Sequence, residues 1–356
     1  MNAIYDILGV PFGFILKFIF DTVGNYGLAL ILFTLFARLL MFPSSISTQK
    51  GTAKTQRLQP KLRKIQEKYK GDSKKIQEET QALYQREGHN PMNAGCLPLV
   101  IQMPIIFGLI GVIYNPLKYA LQITPADITA LTAVIIDIFP KLAKSRTLQL
   151  AVIENIHSIS NFIKYLHDYP KADISTLKTT IISYFQSYSP SNKISLSTAT
   201  VNNIIKLLSE TSAKSINKIS SFNFSFLGLD LGKTPNQKVF DKLWVVPILS
   251  GISSLATGVF TWFKQKQTNP EMAKNPAMGC MTFGMPLFST YFTFLFPVGI
   301  GIYWIASNVF AFAQTVLLSF THNPKKMIAK LMIEEAIQRR SKEQNLKLVA
   351  SRKENN

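Results

Sequence analysis

The sequence predicts an all-α polytopic membrane protein: five transmembrane helices, an N-terminal amphipathic helix, a helical hairpin and a helical insertion. Three observations carry this. Of 356 residues, 47% are hydrophobic and only 17% charged, and the apolar residues come in long runs. The formal net charge is +19, and the basic residues gather in polar blocks that flank those runs. Outside the runs the apolar residues recur at helical spacing.

The elements follow in chain order. Residues 1–26 form the first. Asp6, Gly13, Lys17 and Asp21 share one helical face, and Ile4, Leu8, Phe12, Ile15 and Ile19 occupy the remaining arc. That is the pattern of a helix lying in the interface, with a sixth span as its competitor. Gly24-Asn25 breaks it ahead of the first span, residues 27–43. Residues 44–96 are a polar block with two apolar stripes, Leu58, Leu62, Ile65 and Tyr69, then Ile76, Leu83 and Tyr84. Gly71 ends one helix and Asp72 or Ser73 caps the next, which predicts an antiparallel helical hairpin, basic on its outer faces.

Residues 97–116 make the second span, with Pro98 and Pro104 predicting kinks. Residues 117–243 are rich in Ser, Thr, Asn, Ile and Lys. Helical periodicity shows around 127–143, 147–167, 174–187 and 198–219, but no apolar run there reaches eighteen residues. This is a helical soluble insertion ending in FNFSFLGLDLGKTP, residues 222–235. Spans at 244–263, 277–296 and 298–318 follow, with a polar loop at 264–276 and a charged, helical or disordered tail at 319–356.

Lysine and arginine set the orientation. The 44–96 block has 11 basic and 5 acidic residues, the 264–276 loop 3 and 1, and the tail 9 and 4. These belong in the cytoplasm, which puts the N-terminus and the insertion outside. The insertion carries 14 basic residues against 8 acidic, but long domains escape the rule.

Arg38 is a full charge inside TLFARLLMFP. At a helix centre an arginine costs about 2.5–3.5 kcal/mol on insertion scales, so such residues face a protein interior or a wet cavity. Thr34 lies one turn earlier on the same face. Snorkelling to the interface past Pro43 is the alternative. The other polar positions in the spans are Gln102, Ser307, Asn308 and Gln314, with Tyr303 and Trp304 beside them. None of the spans contains an acidic residue. Cys96 and Cys280 give neither a disulfide framework nor a zinc spacing, and all four histidines lie outside the spans. Gly228–Thr234 has three residues between its glycines where a P-loop needs four, and Ser175–Lys178 fits SxxK without companion motifs. Neither an enzyme nor a bound cofactor or metal is expected.

With these residues in view, the chain resembles the YidC/Oxa/Alb membrane protein insertases, in the five-span form of Gram-positive bacteria. The resemblance rests on the arginine of TLFARLLMFP, the hairpin segments LQPKLRKIQEKYK and ALYQREGHNP, the signature NPMNAGCLPLVIQMPI, and FLGLDLGKTP, VVPILSG and FPVGIGIYWIASNVFAFAQ. It covers residues 1–121 and 222–322. It implies helices enclosing a hydrophilic groove that carries one positive charge, Arg38, and is lined by Thr34, Gln102, Met103, Trp304 and Asn308. It also implies a bacterial plasma membrane location and, as partners, nascent membrane proteins, the ribosome, the Sec translocon and the lipid bilayer. Residues 122–221 have no counterpart, so the insertion is expected to be dispensable for the core activity, and a short Gly/Ser linker in place of 127–218 to leave the five spans assembled. The alternative from another class is a channel or solute transporter, which needs polar residues on several spans or inverted repeats. A scaffold for the translocon is the third reading.

Overall fold

The computed structural model describes residues 2–88, 97–143, 145, 147–167, 176, 179–180, 182–183, 202–203, 210–268, 276–321 and 324–354, and it is mostly helical. The signature NPMNAGC, the Ser175–Lys178 pattern and most of the periodic stretches at 174–187 and 198–209 lie outside the described residues. The chain divides into two compact units.

The first unit comprises Met1–Phe36, Pro104–Gly251 and Ser289–Ala306. Helix α1 (Asn2–Val23) buries Leu16 and packs Phe12, Ile15, Ile19 and Phe20 on the core, while Ile7, Val10, Phe14 and Phe18 stay exposed. The spacing of the exposed set is helical, so α1 keeps an apolar stripe for an apolar surrounding. Helix α2 (Tyr26–Leu40) supplies Tyr26, Leu30 and Phe33 to the core. Helix α5 (Leu97–Tyr114) supplies Leu109, Val112 and Ile113, and the short α6 (Pro116–Tyr119) adds Leu117.

The insertion contributes to that core. Its helices α7 (Pro125–Ile138), α8 (Leu148–His167) and α9 (Glu210–Ser220) bury Leu131, Val134, Ile135, Val152, Ile156, Ile216 and Ile219 in the same hydrophobic cluster as Tyr26, Leu30 and Val112. It is therefore part of a shared hydrophobic core. A buried polar link fastens it. The Asp127 carboxylate accepts hydrogen bonds from the hydroxyls of Ser212 at 2.5 Å and Ser215 at 2.7 Å. Burial alone would raise its pKa, but these two hydroxyls and Thr124 outweigh that and hold it below the usual carboxylate range.

A correction concerns residues 222–235, expected as the end of a helical insertion. They form an antiparallel ribbon, β1 (Ser225–Phe226) against β2 (Leu229–Asp230), with Ser225 opposite Asp230 and Phe226 opposite Leu229. Helix α12 (Val298–Thr321) begins with free backbone N–H groups, as every helix does. The turn that follows the ribbon meets two of them: the carbonyls of Leu231 and Lys233 accept from Gly299 and Val298, both at 2.9 Å. Phe222 and Phe224 beside the ribbon stack on Tyr26, with ring centroids 5.4 and 5.0 Å away. Helix α10 (Val245–Thr268) is tied to α11 (Pro276–Thr293) where the Ser250 and Ser289 hydroxyls meet at 2.7 Å.

The second unit comprises Ala37–Met103, Ile252–Phe288 and Ser307–Asn356. The chain bends by 52° between α2 and α3 (Phe42–Lys68). Pro43 sits in the first turn of α3, where its missing N–H costs nothing. It follows directly on the bend at Met41. Gly71 at φ +96° reverses the chain, and the Asp72 side chain caps α4 (Ser73–Arg86) by accepting from the Lys75 N–H at 3.0 Å. Glu87 clamps the arms by pairing with Arg57 at 3.3 Å and with Lys61. Its carboxyl is held below the usual range by Lys61 first, then Arg57 and Arg339. Arg339 belongs to the tail helix α13 (Pro324–Glu354), which packs along α3. At Gly258 of α10 any Cβ would meet the Thr282 carbonyl of α11 at 3.0 Å, so this close crossing requires glycine.

Among the described residues, Lys242–Gln267 and Val298–Thr321 are long and apolar enough to cross a bilayer, and the bent α2–α3 pair is a third candidate. Gln102–Tyr114 is a shorter apolar helix. The described residues are thus mostly helical, with one small ribbon among them, and carry two or three helices able to cross a membrane.

Candidate functional site

The polar cavity of the second unit

A sequence of this composition has few ways to place polar side chains together, and it uses three helix faces in the second unit. On α3, Ser45, Thr48, Gln49, Thr52 and Gln56 recur at i, i+3, i+4, i+7 and i+11, which is a single stripe. On α10, Thr261, Lys264 and Gln265 share a face. On α12, Ala311, Gln314, Thr315 and Ser319 do the same. Together with Arg38 these faces line one cavity of about 470 Å³. No carboxylate is among its lining residues.

The hydroxyls and the amides of that lining behave differently. Thr48 donates to the Ser44 carbonyl and Thr52 to the Thr48 carbonyl, both at 3.0 Å, while Thr315 donates to the Ala311 carbonyl at 2.7 Å. These donors are satisfied one turn back in their own helices. The glutamines cannot reach back that way. Gln49 Oε1, Gln56 Oε1 and Gln314 Nε2 are shielded from bulk solvent and have no hydrogen-bond partner among the described residues. A buried amide left alone costs about 1–3 kcal/mol, so such groups are normally met by water or by a bound polar chain. A cavity of this size holds several waters, each needing two to four polar partners.

Arg38 is half-buried and donates from Nη2 to the Ser307 hydroxyl oxygen at 2.5 Å. That bond fixes the guanidinium by α12, so its charge stays at the cavity wall. Ser307 is itself buried. One residue on, Asn308 donates from Nδ2 to the Ser253 hydroxyl at 3.1 Å, and its carbonyl accepts from the Thr257 hydroxyl at 3.5 Å. Asn308 therefore fastens α12 to α10. Gln102 is half-buried and Met103 exposed, both also in the second unit.

Thr34 and Trp304, the other two expected site residues, belong to the first unit. Thr34 is fully buried and donates to the Leu30 carbonyl at 2.7 Å. Trp304 is half-buried, its ring 5.0 Å from that of Phe292. The structure thus brings Arg38 and Asn308 into one hydrogen-bonded region, with Ser307 between them in sequence. Of the six expected residues only Arg38 is among those that line the cavity.

Sequence reasoning singled out Gln314 but missed Gln49, Gln56, Gln265 and Lys264. It assigned 44–96 wholly to a soluble hairpin and began a loop at 264, whereas α10 continues to Thr268. The i, i+3, i+4, i+7, i+11 polar stripe on α3 was the available signal.

Comparison with known proteins supports a specific family. The 60Kd inner membrane protein family model matches residues 18–326, which enclose the insertion. The chain is similar to three relatives, each named a membrane protein insertase YidC. The protein of Syntrophus aciditrophicus (strain SB) is 40% identical over 116 residues, 33% of this chain and 20% of that protein. That of Wolinella succinogenes is 25% identical over 319 residues, 90% of this chain and 38% of that protein. That of Helicobacter pylori (strain 26695) is 38% identical over 104 residues, 29% of this chain and 19% of that protein. The matched stretches thus span at most 38% of the length of these curated relatives.

Proposed function

This chain belongs to the 60Kd inner membrane protein family, and from that premise we propose that it is a membrane protein insertase that receives polar segments of its substrates in the Arg38 cavity. The observation that carries the reading is the cavity itself: a cation at the wall and, among the described residues, shielded amide atoms without partners and no lining carboxylate, in a chain rich in apolar helices. The names of the relatives point the same way.

The physics is that of a shortened dry path. A polypeptide tail crossing a bilayer must carry its polar groups through about 30 Å of hydrocarbon. A wet cavity partway across reduces that distance, and its unpartnered amides offer the tail's backbone replacement hydrogen bonds. The arginine attracts acidic side chains of the tail. At an effective dielectric near 20, a carboxylate about 4 Å away gains about 4 kcal/mol. Release needs no nucleotide, because the apolar part of the substrate prefers lipid.

The finer reading is as follows. Five spans, at 27–43, 97–116, 244–263, 277–296 and 298–318, cross a bacterial plasma membrane with the N-terminus and insertion outside. The hairpin and tail face the cytoplasm, where the ribosome delivers nascent membrane proteins, and the Sec translocon is a partner for larger substrates. Arg38, Gln102, Met103 and Asn308 meet the substrate inside the membrane, with Thr34 and Trp304 along its path.

The test is reconstitution of the purified chain into pure phospholipid vesicles, followed by presentation of a single-span substrate. Protease protection of the substrate's outer tail, absent from empty vesicles, is the expected result. Equal protection in both sinks the proposal.

A further inference from the structure

The turn of the ribbon in the first unit consists of Leu227 and Gly228, and both have positive φ, +52° and +73°. Two-residue turns of that kind ordinarily carry Asn-Gly or Asp-Gly, because a bulky L residue there is strained. This chain keeps a leucine at that position and leaves it 84% exposed. In water the strain and the exposure both cost free energy, and so exposed a side chain has little protein contact to offset them.

A second loop lies beside the turn. The Lys242 ammonium donates to the Gly228 carbonyl at 2.9 Å. Val239 and Phe240, just before Lys242, are exposed as well, Phe240 at 77%. The Trp244 indole shapes this loop by donating from Nε1 to the carbonyls of Asn236 at 2.8 Å and Val239 at 3.1 Å. Its ring lies 5.2 Å from that of Phe240 and 4.8 Å from that of Phe294. Lys242 is also the first residue of the membrane-capable stretch Lys242–Gln267. Its hydrogen bond therefore ties the ribbon turn to the end of that span. Trp244 stands where tryptophans gather, at a membrane–water interface. The exposed apolar surface continues along α10 with Val245, Ile248 and Leu249. Lys238 and Lys242 are exposed beside it, which suits lipid headgroups next to an apolar tip.

We infer that Leu227, Val239 and Phe240 form a lipid-inserting tip that dips into the leaflet entered by the Lys242 end of α10. Its occupant is the boundary between headgroups and acyl chains, where the three apolar side chains leave water while the indole and the lysines stay at the polar level. The inference goes beyond the insertase reading and rests only on α10 crossing a membrane. The tip holds the ribbon at a fixed depth. Through the carbonyls of Leu231 and Lys233 it holds the start of α12 there too.

A second copy of the chain or another protein could also cover such a patch, and spin-label accessibility separates these occupants from lipid. The full chain, with Cys96→Ser and Cys280→Ser, receives one cysteine at a time: Leu227→Cys, Phe240→Cys or, as an exposed reference on α9, Lys214→Cys. Each variant is labelled with a nitroxide and reconstituted into vesicles of phosphatidylethanolamine and phosphatidylglycerol. Power-saturation spectra compare collisions with oxygen, which concentrates in lipid, against collisions with a water-soluble nickel chelate. The oxygen-to-nickel ratio at 227 and 240 is expected to exceed that at 214 at least fivefold. A ratio equal to that at 214 puts the tip in water, and the inference falls. Poor access for both reagents puts the tip against protein and overturns the lipid assignment as well. A label at Val239→Cys then reports what holds the depth. Adding Leu227→Asn and Phe240→Ser, the first of which suits the turn, is expected to lower its ratio at least threefold. An unchanged ratio means that α10 alone sets the depth and refutes the role of the tip.

Discussion

The Arg38 guanidinium donates to the Ser307 hydroxyl, and its proposed role turns on its charge. A diffuse attraction for acidic tails asks for a positive charge more than for a guanidinium fork. Arg38→Lys is expected to keep most insertion, whereas Arg38→Ala loses at least tenfold for acidic tails and less for neutralised ones. The measurement is a matched substrate pair in each variant at equal protein level; equal rates for both tails with Arg38→Ala would remove the charge from the mechanism. Asp127 is a different kind of charged residue, structural and buried. Its carboxyl pKa is lowered on folding, so it contributes stability above the unfolded value near 3.9 and loses it as the pH falls through the lower folded value. Asp127→Asn replaces two charge-assisted bonds and is expected to cost about 1–3 kcal/mol at neutral pH. Thermal unfolding in detergent should show the gap between wild type and variant closing below about pH 4. A gap that does not depend on pH would refute the assignment.

At the scale of elements, the hairpin and the insertion answer opposite questions about removability. Helix α4 buries no residue, and its cap and its Glu87 clamp are surface interactions. Glu87→Gln should therefore change global stability by no more than about 1 kcal/mol. It should instead speed proteolysis near residues 68–75, because it frees the second arm alone. Unchanged cleavage there would show that the clamp does not hold the hairpin. The insertion is the reverse case. Closing a loop with a Gly/Ser linker in place of 127–218 costs little entropy. It nonetheless removes Leu131, Val134, Ile135, Val152 and Ile156 from the core, each fully buried side chain contributing about 1.5–3 kcal/mol. The deleted protein is expected to fall below detection in membranes; accumulation at wild-type level would show the insertion to be peripheral after all.

For the whole molecule, the prediction is topological. Basic residues concentrate in the hairpin, the 264–276 loop and the tail, which places all three on one side. Lys214 and Ser73 are both exposed, so cysteines there report accessibility without disturbing packing. With Cys96 and Cys280 replaced, Lys214→Cys should react with a membrane-impermeant maleimide in intact cells. Ser73→Cys should react only after permeabilisation. The opposite pattern overturns the orientation and, with it, the direction of insertion.

Composition and periodicity alone determined that this chain is helical and membrane-embedded, and that Arg38 needs a polar surrounding. Those properties follow from local rules: apolar run length, 3.6-residue spacing and the cost of a charge in hydrocarbon. The hairpin turn was equally legible, since Gly71 and Asp72 act on their own neighbours. Tertiary structure decided the rest. That Asp127 would meet Ser212 and Ser215, more than eighty residues away, is invisible to any local pattern. That the carbonyls of Leu231 and Lys233 would meet the start of α12, far along the chain, is equally hidden. The cavity is the clearest case. The polar stripe on α3 reads alone as a solvated helix face and Gln314 as an isolated polar position in a span, and only packing α3, α10 and α12 together sets their glutamines around one cavity with Arg38. A helix face is polar by sequence, but whether it meets water, lipid or another polar face is fixed by what packs beside it.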